Sequence, residues 1–144
     1  MIAGFFKRLT AGADTGLSAE DERLALTALL VRIARADEDY SDAEAAQIDK
    51  VLMGRYGLSP FEATALRREG ETVEADAPDT VRFTREIKDA VPHEERICVI
   101  EALWRVVLAD GVRDAEEDAV VRLAANLLGI NDRDSALARQ RVSA

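Results

Sequence analysis

The sequence has few of the residues on which small disulfide-bonded or β-rich proteins depend. Its 144 residues include one cysteine, three prolines and only seven aromatic residues, which are four Phe, two Tyr and one Trp. A single cysteine excludes a disulfide framework within the chain and predicts a reducing, cytoplasmic location. Scarce aromatic and β-branched runs, together with abundant Ala, Leu, Glu and Arg, favour an all-α protein.

The sequence is also poor in positive charge. It has 28 acidic residues against 19 basic ones, which leaves a formal net charge of −9 and a pI near 4.7. Nucleic-acid binding needs basic surface that neutralises phosphates, so this balance argues against a nucleic-acid partner. A small anion would need a locally positive site, and the sequence does not identify one.

Long apolar runs are absent as well. None reaches the roughly 20 residues that a membrane-spanning helix requires, so no integral membrane segment is expected. Residues 1–9 nevertheless place four apolar side chains on one face of a short helix, namely Ile2, Phe5, Phe6 and Leu9. Two interpretations stay open: a weak peripheral membrane contact, or, preferred here, docking on the protein's own core or fraying.

The apolar residues recur with the 3.6-residue period of helices, and capping signals separate one helical segment from the next. Ser41 and Ser59 each precede a helical pattern and are followed three positions later by Glu44 and Glu62, the spacing of a capping box. Residues 94–109 are apolar around nearly the whole helical circumference, which predicts a central helix with neighbours on several sides.

These patterns predict a single-domain, all-α bundle of about seven to eight helices. Residues 1–17 form an N-terminal segment, interpreted as a short amphipathic helix. The helical domain spans 18–130, and residues 131–144 form a short helix and tail, with Asn131 as the candidate cap. The oligomeric state does not follow from the sequence.

Two parts of the helical domain match each other when they are shifted by 73 residues, which aligns Glu22 with Glu95. The other identical pairs are Arg23 and Arg96, Leu30 and Leu103, Arg32 and Arg105, Ala36 and Ala109, Asp37 and Asp110, Glu44 and Glu117, and Ala46 and Ala119. The duplicated unit is a helix, an acidic turn and a second helix, over about 18–66 and 79–130. Two such units predict a pseudo-symmetric bundle in which each covers the apolar face of the other.

The turns of the two units read ADEDYSDAE from Ala36 and ADGVRDAEE from Ala109. They resemble the TerB-like (tellurite resistance protein B) family, in which a helix ends in Ala-Asp-Gly and an acidic residue opens the next helix after a short turn. The second unit is the more similar one, because the first has Glu38 where the family has Gly. The resemblance covers most of residues 18–130.

This resemblance implies an all-α, noncatalytic accessory protein of stress-response or tellurite-resistance systems, with acidic residues that bind a divalent metal ion. The alternative is a protein–protein interaction module that binds an unidentified partner without metal, in which the acidic turns serve as helix caps.

The acidic turns concentrate the oxygen ligands that hard cations prefer, since Ca²⁺ takes six or more oxygens, several of them carboxylates. The candidate ligands for Ca²⁺ or Mg²⁺ are Asp37, Asp39 and Glu44 in the first unit and Asp110, Asp114 and Glu117 in the second. Neither turn is an EF-hand, because the twelfth position from the first Asp is Ile48 or Val121 instead of Glu.

Capping explains part of this acidity without metal. Glu44 completes a box with Ser41, and the second unit has an Asp-capped counterpart. Asp37 and Asp110 instead follow helix C-termini, where the helix dipole disfavours a negative charge. Solvated turn formation, pairing with Arg32 or another Arg, and metal ligation all stay open for them.

No catalytic constellation accompanies the turns. His93 and Cys98 are each the only residue of their type, and on one helix this spacing points them away from each other. Cys98 and Trp104 lie in the most apolar segment and are expected in the core. Glu101 and Arg105 have the i, i+4 spacing of an ion pair. The sequence therefore predicts no enzyme, no catalytic residue and no organic cofactor.

Overall fold

The computed structural model describes residues 19–36, 40–77, 81–109 and 115–143. Within these ranges the chain forms helices without strands: α1 (Ala19–Ala34), α2 (Asp42–Tyr56), α3 (Pro60–Asp76), α4 (Val81–Ala90), α5 (His93–Val107), α6 (Ala115–Leu127) and α7 (Asp132–Ser143). The all-α bundle is confirmed. The pseudo-symmetry of the two units stays a prediction. Residues 1–17, with the expected amphipathic segment and membrane contact, lie outside the described residues.

None of the described helices combines the length and apolar character needed to cross a membrane.

The starts of α2 and α3 follow from their capping serines. Ser41 Oγ accepts a hydrogen bond from the Glu44 N–H at 3.1 Å, and the Glu44 carboxylate accepts one from the Ser41 N–H at 3.1 Å. The Ser59 and Glu62 box has corresponding distances of 3.2 and 2.9 Å. Both predicted capping boxes are confirmed. Helix α2 ends at Gly57, which takes the left-handed φ of 65° that glycine adopts without strain.

Helix α1 lies at the centre of the bundle and packs against α2, α3, α4, α5 and α6. Its side chains are buried almost without interruption from Leu24 to Ala34, which removes a large apolar area from water. The one buried polar side chain in this stretch, Thr27, donates its hydroxyl to the Arg23 carbonyl at 2.6 Å. The burial of α1 is therefore achieved without leaving that hydroxyl unsatisfied.

Helix α5 also has several neighbours, as predicted, since it packs against α1, α2, α6 and α7. Trp104 is 5% exposed and donates its indole N–H to Ser135 Oγ on α7 at 3.1 Å, so its expected core position is confirmed. The expectation that Cys98 lies in the core is wrong, because its side chain is exposed. The reason is that α2 meets this side of α5 with small and polar residues, which leaves a groove.

The polar residues of α5 use partners far along the chain. Glu101 accepts a hydrogen bond from Arg141 Nε on α7 at 2.7 Å, so the pairing with Arg105 suggested by the sequence is wrong. Arg96 donates to the carbonyls of Lys88, Val91 and Leu128 at 2.9, 3.0 and 3.3 Å. One guanidinium thereby satisfies terminal carbonyl groups of two other helices.

The last helix is capped as the sequence suggests. Asn131 Oδ1 accepts a hydrogen bond from the Asp134 N–H at 2.8 Å, and α7 packs against α5 and α6.

Helices α1 and α3 lie close together at Gly70. A Cβ added there would overlap the methyl group of Thr27 and lie 3.2 Å from its backbone carbonyl carbon. Gly54, in α2, has no atom within 4 Å of such a Cβ. The two glycines therefore form a matched pair, one required by packing and one not.

We expect Gly70→Ala to destabilise the protein by about 1–3 kcal/mol, because the added methyl group forces α1 and α3 apart. Gly54→Ala is the control, and we expect it to be neutral or stabilising by up to about 1 kcal/mol, since alanine is the better helix former. Urea denaturation followed by circular dichroism measures both. Equal effects of the two substitutions would contradict the close contact at Gly70.

Candidate functional site

The candidate site consists of the two acidic turns, one between α1 and α2 and the other between α5 and α6. Of the six carboxylates that the sequence nominates, Glu44 and Glu117 lie in described parts of the chain. Asp37, Asp39, Asp110 and Asp114 lie outside the described residues. The geometry of the site is therefore built from the two glutamates and from the residues that flank the first turn.

Glu44 is a buried carboxylate whose two oxygens have different environments. The side chain is 0% exposed. Oε1 accepts hydrogen bonds from the Ser41 backbone N–H at 3.1 Å and from the Ser41 hydroxyl at 3.2 Å. Oε2 is buried and has no hydrogen-bond partner in the described part of the chain. Capping therefore accounts for one oxygen and leaves the other without a donor.

Glu62 is a capping glutamate that, unlike Glu44, is exposed to solvent. It occupies the same position in the Ser59 box, and its side chain is exposed. Hydrogen bonds from the Ser59 backbone and then from the Ser59 hydroxyl lower the pKa of the Glu62 carboxyl. Because the same cap forms at the surface, capping alone does not require Glu44 to be buried.

Glu117 is the counterpart of Glu44 under the 73-residue shift, and it lies in the first turn of α6. Its side chain is 1% exposed. Each acidic turn is therefore followed by a buried glutamate in the next helix. The sequence identified both residues as candidates, but it did not indicate that either would be buried.

The six nominated carboxylates offer oxygen donors, the ligand type that a hard divalent cation prefers. Carboxylate oxygens are the preferred ligands of Ca²⁺ and Mg²⁺, and Glu44 Oε2 is a buried oxygen that accepts no hydrogen bond from any residue the structure describes. The described residues contain no group of three or more His, Cys, Asp or Glu side chains that could hold a metal ion by itself. A complete site would therefore need carboxylates from the aspartates of the turns.

The first turn begins next to an ion-pair cluster on α3. Arg32 Nε lies 3.1 Å from Glu74 Oε2, and Arg35 Nη1 lies 3.0 Å from Glu74 Oε1. Arg32 Nη2 also donates to the carbonyl of Ala77 at 2.9 Å. Arg32, which the sequence offered as a partner for Asp37, is thus engaged with the C-terminal end of α3.

The first turn ends at a second anchor on α3. The Tyr40 hydroxyl donates to Glu71 Oε2 at 2.7 Å, and Arg67 Nη1 donates to the same oxygen at 2.7 Å. Arg67 Nε in turn donates to Asp49 Oδ1 at 2.7 Å, which joins α3 to α2. Residues 35 and 40 are therefore both held against α3, one on each side of the acidic segment 37–39.

Sequence reasoning missed these anchoring residues. Glu71 and Glu74 lie in a polar stretch that carries no motif, and their partners Tyr40, Arg35 and Arg32 are 31 to 42 residues away along the chain. The only local signal is the i, i+4 spacing of Arg67 and Glu71, which is common on exposed helix faces.

Comparison with known proteins identifies the family. The model of the family described as tellurite resistance protein TerB matches residues 23–140, from α1 into α7 and across both acidic turns. The chain belongs to this family, as its turn motifs suggested. No curated protein and no solved structure matches it.

The two tyrosines of the chain provide a test of the contacts around the first turn. Burial, followed by the hydrogen bond to Glu71, raises the pKa of Tyr40 well above its ordinary value. Burial, followed by the nearby charge of Glu22, raises the pKa of Tyr56 in the same direction. Both phenols should therefore resist ionisation as long as the protein is folded.

We expect no tyrosinate absorbance from the folded protein near pH 10, where both tyrosines should titrate once guanidinium unfolds the chain. Because the folded pKa values are the higher ones, the phenols contribute stability that is fully present below about pH 10 and lost as the pH rises further. In the Tyr56→Phe variant Tyr40 is the one remaining tyrosine, so a spectrophotometric titration of this variant measures the ionisation of Tyr40 alone. Ionisation of Tyr40 near pH 10 in that folded variant would contradict the buried contact with Glu71.

Proposed function

We propose that this TerB family protein is a noncatalytic, cytoplasmic accessory of a stress-response system associated with tellurite resistance, and that it binds a divalent cation through its acidic turns. The proposed ion is Ca²⁺ or Mg²⁺. The observation that carries the proposal is the burial of Glu44, whose Oε2 has no hydrogen-bond partner among the described residues.

A buried carboxylate is costly unless its charge is compensated. Removing such a group from water costs several kcal/mol, and hydrogen bonds or a counter-charge must offset that cost. Ser41 provides hydrogen bonds to Oε1 of Glu44 only. A cation at Oε2 would compensate the remaining charge, and Glu117, the counterpart of Glu44 in the second unit, would be a further carboxylate ligand.

The remaining ligands of the proposed site are Asp37, Asp39, Asp110 and Asp114. Capping does not explain Asp37 or Asp110, because each follows the C-terminal end of a helix. The anchors at Arg35 and Tyr40 support the proposal for the first turn, since fixed ends reduce the conformational entropy that ion binding must overcome.

An interaction module that works without metal is the competing function. It is supported by the complete capping box at Ser41, which is sufficient reason for a glutamate at position 44. It is also supported by Phe61, which is 84% exposed on the outer side of α3 and offers apolar area to a partner protein.

Glu44→Gln and Glu62→Gln distinguish the two functions, because both glutamates close a Ser capping box and only Glu44 is buried. We expect Ca²⁺ or Mg²⁺ to raise the melting temperature of the EDTA-treated wild type. At an ion concentration 100 times the dissociation constant, the free energy of unfolding should increase by about 2.7 kcal/mol. Glu44→Gln should lose most of this stabilisation, whereas Glu62→Gln should retain it. Calorimetric titration with each ion measures the affinities.

Two further variants complete this experiment. Glu117→Gln reports on the second unit, and the double substitution Asp37→Asn with Asp110→Asn removes the two carboxylates that capping leaves unexplained. We expect weaker ion binding in both with the fold retained in circular dichroism. If millimolar Ca²⁺ and Mg²⁺ leave the wild-type melting temperature unchanged, or shift Glu44→Gln equally, the metal proposal is wrong and the interaction module is favoured.

A further inference from the structure

A groove of about 550 Å³ lies between α2 and α5 on the surface of the bundle. Lys50 and Arg55 line it from α2, and Cys98, Glu101 and Arg105 line it from α5. None of these residues belongs to the proposed cation site. The groove therefore requires its own explanation.

The groove is locally positive on an acidic protein. Lys50 and Arg105 have no ion-pair partner within 4.0 Å among the described residues, and both are exposed. Arg55 approaches a carboxylate of Glu22 only at 3.9 Å. Glu101 is compensated by Arg141 at 2.7 Å. Three cationic side chains thus border the groove, and its described carboxylate already has a partner.

Arg55 also has a hydrogen-bond donor without an acceptor. Its Nε is buried and forms no hydrogen bond in the described part of the chain, while its guanidinium lies 5.8 Å from the centre of the Tyr56 ring. A buried donor without an acceptor is unfavourable. The charge of Arg55 nevertheless adds to those of Lys50 and Arg105 along the groove.

The floor of the groove is apolar and open. Val51 and Gly54 on α2 and Ala102 on α5 line it, and a Cβ added at Gly54 would have no atom within 4 Å. A ligand with an apolar body would therefore find room beside the three cationic side chains. An inorganic anion would use the charges and leave the apolar floor uncovered.

We propose that this groove binds a small organic carboxylate, with the acid group held by Lys50, Arg55 and Arg105 and an apolar body lying over Val51, Gly54 and Ala102. The sequence did not reveal this site because its cations come from two helices that only the fold brings together. The inference is independent of the proposed cation site.

Cys98 reports on occupancy, because it is exposed in the groove and is the only cysteine of the chain. The experiment measures the rate at which the neutral disulfide 4,4′-dithiodipyridine modifies Cys98 in the full chain at constant ionic strength. At about four times its dissociation constant, sodium benzoate should slow this reaction roughly fivefold by mass action. Benzamide, which has the same shape without the charge, should leave the rate unchanged.

Variants test the role of each part of the groove. Lys50→Gln combined with Arg105→Gln should abolish the protection by benzoate, because both side chains are exposed and their charges attract the acid group. Arg133→Gln, exposed on α7 and outside the groove lining, is the control for lost positive charge and should keep the protection. Gly54→Leu should block benzoate by filling the floor while all three cations remain.

Three results would overturn the proposal. Equal protection by benzoate and benzamide would show that the acid group is not recognised. Undiminished protection in the Lys50→Gln and Arg105→Gln double variant would show that the cations do not hold it. Protection by inorganic phosphate as strong as that by benzoate would show that the apolar floor contributes nothing.

Discussion

The enclosure of α1 by five other helices is the constraint on which the other contacts depend. A helix buried on every side brings its neighbours close, and Gly70 of α3 allows that approach where it meets Thr27. Charged residues near the end of such a helix cannot remain unpaired in a partly buried position without a large cost. Arg32 and Arg35 accordingly converge on Glu74, which is only 12% exposed.

This ion-pair cluster connects the buried helix α1 to the start of the first acidic turn. Arg35 precedes the turn and Tyr40 follows it, and both are bound to glutamates of α3. The guanidinium of Arg35 also lies 5.4 Å from the centre of the Tyr40 ring, so the two anchors contact each other. The packing of apolar side chains inside the bundle thus helps to position Arg35 and Tyr40, the described residues on either side of positions 37–39.

The distribution of charge is more informative than its total. A formal charge of −9 describes the whole chain, yet two acidic residues, Glu44 and Glu117, are almost completely buried, and three basic residues line one groove. Buried charge and concentrated charge both raise the energy of a protein unless a partner compensates them. The burial of Glu44 is therefore the basis of the proposed cation site, and the basic residues of the groove are the basis of the proposed anion site.

Local interactions are what the sequence by itself determined about this protein. Helical hydrogen bonds, the boxes at Ser41 and Ser59 and the cap at Asn131 all join atoms within four residues of each other, so their pattern can be read along the chain. The turn motifs were sufficient to indicate the family. Only the tertiary structure decided that Glu44 is buried and Glu62 exposed, that Glu101 binds Arg141, and that Cys98 lies in a groove. These outcomes depend on which helix covers which face, and that is set by the packing of residues distant in sequence.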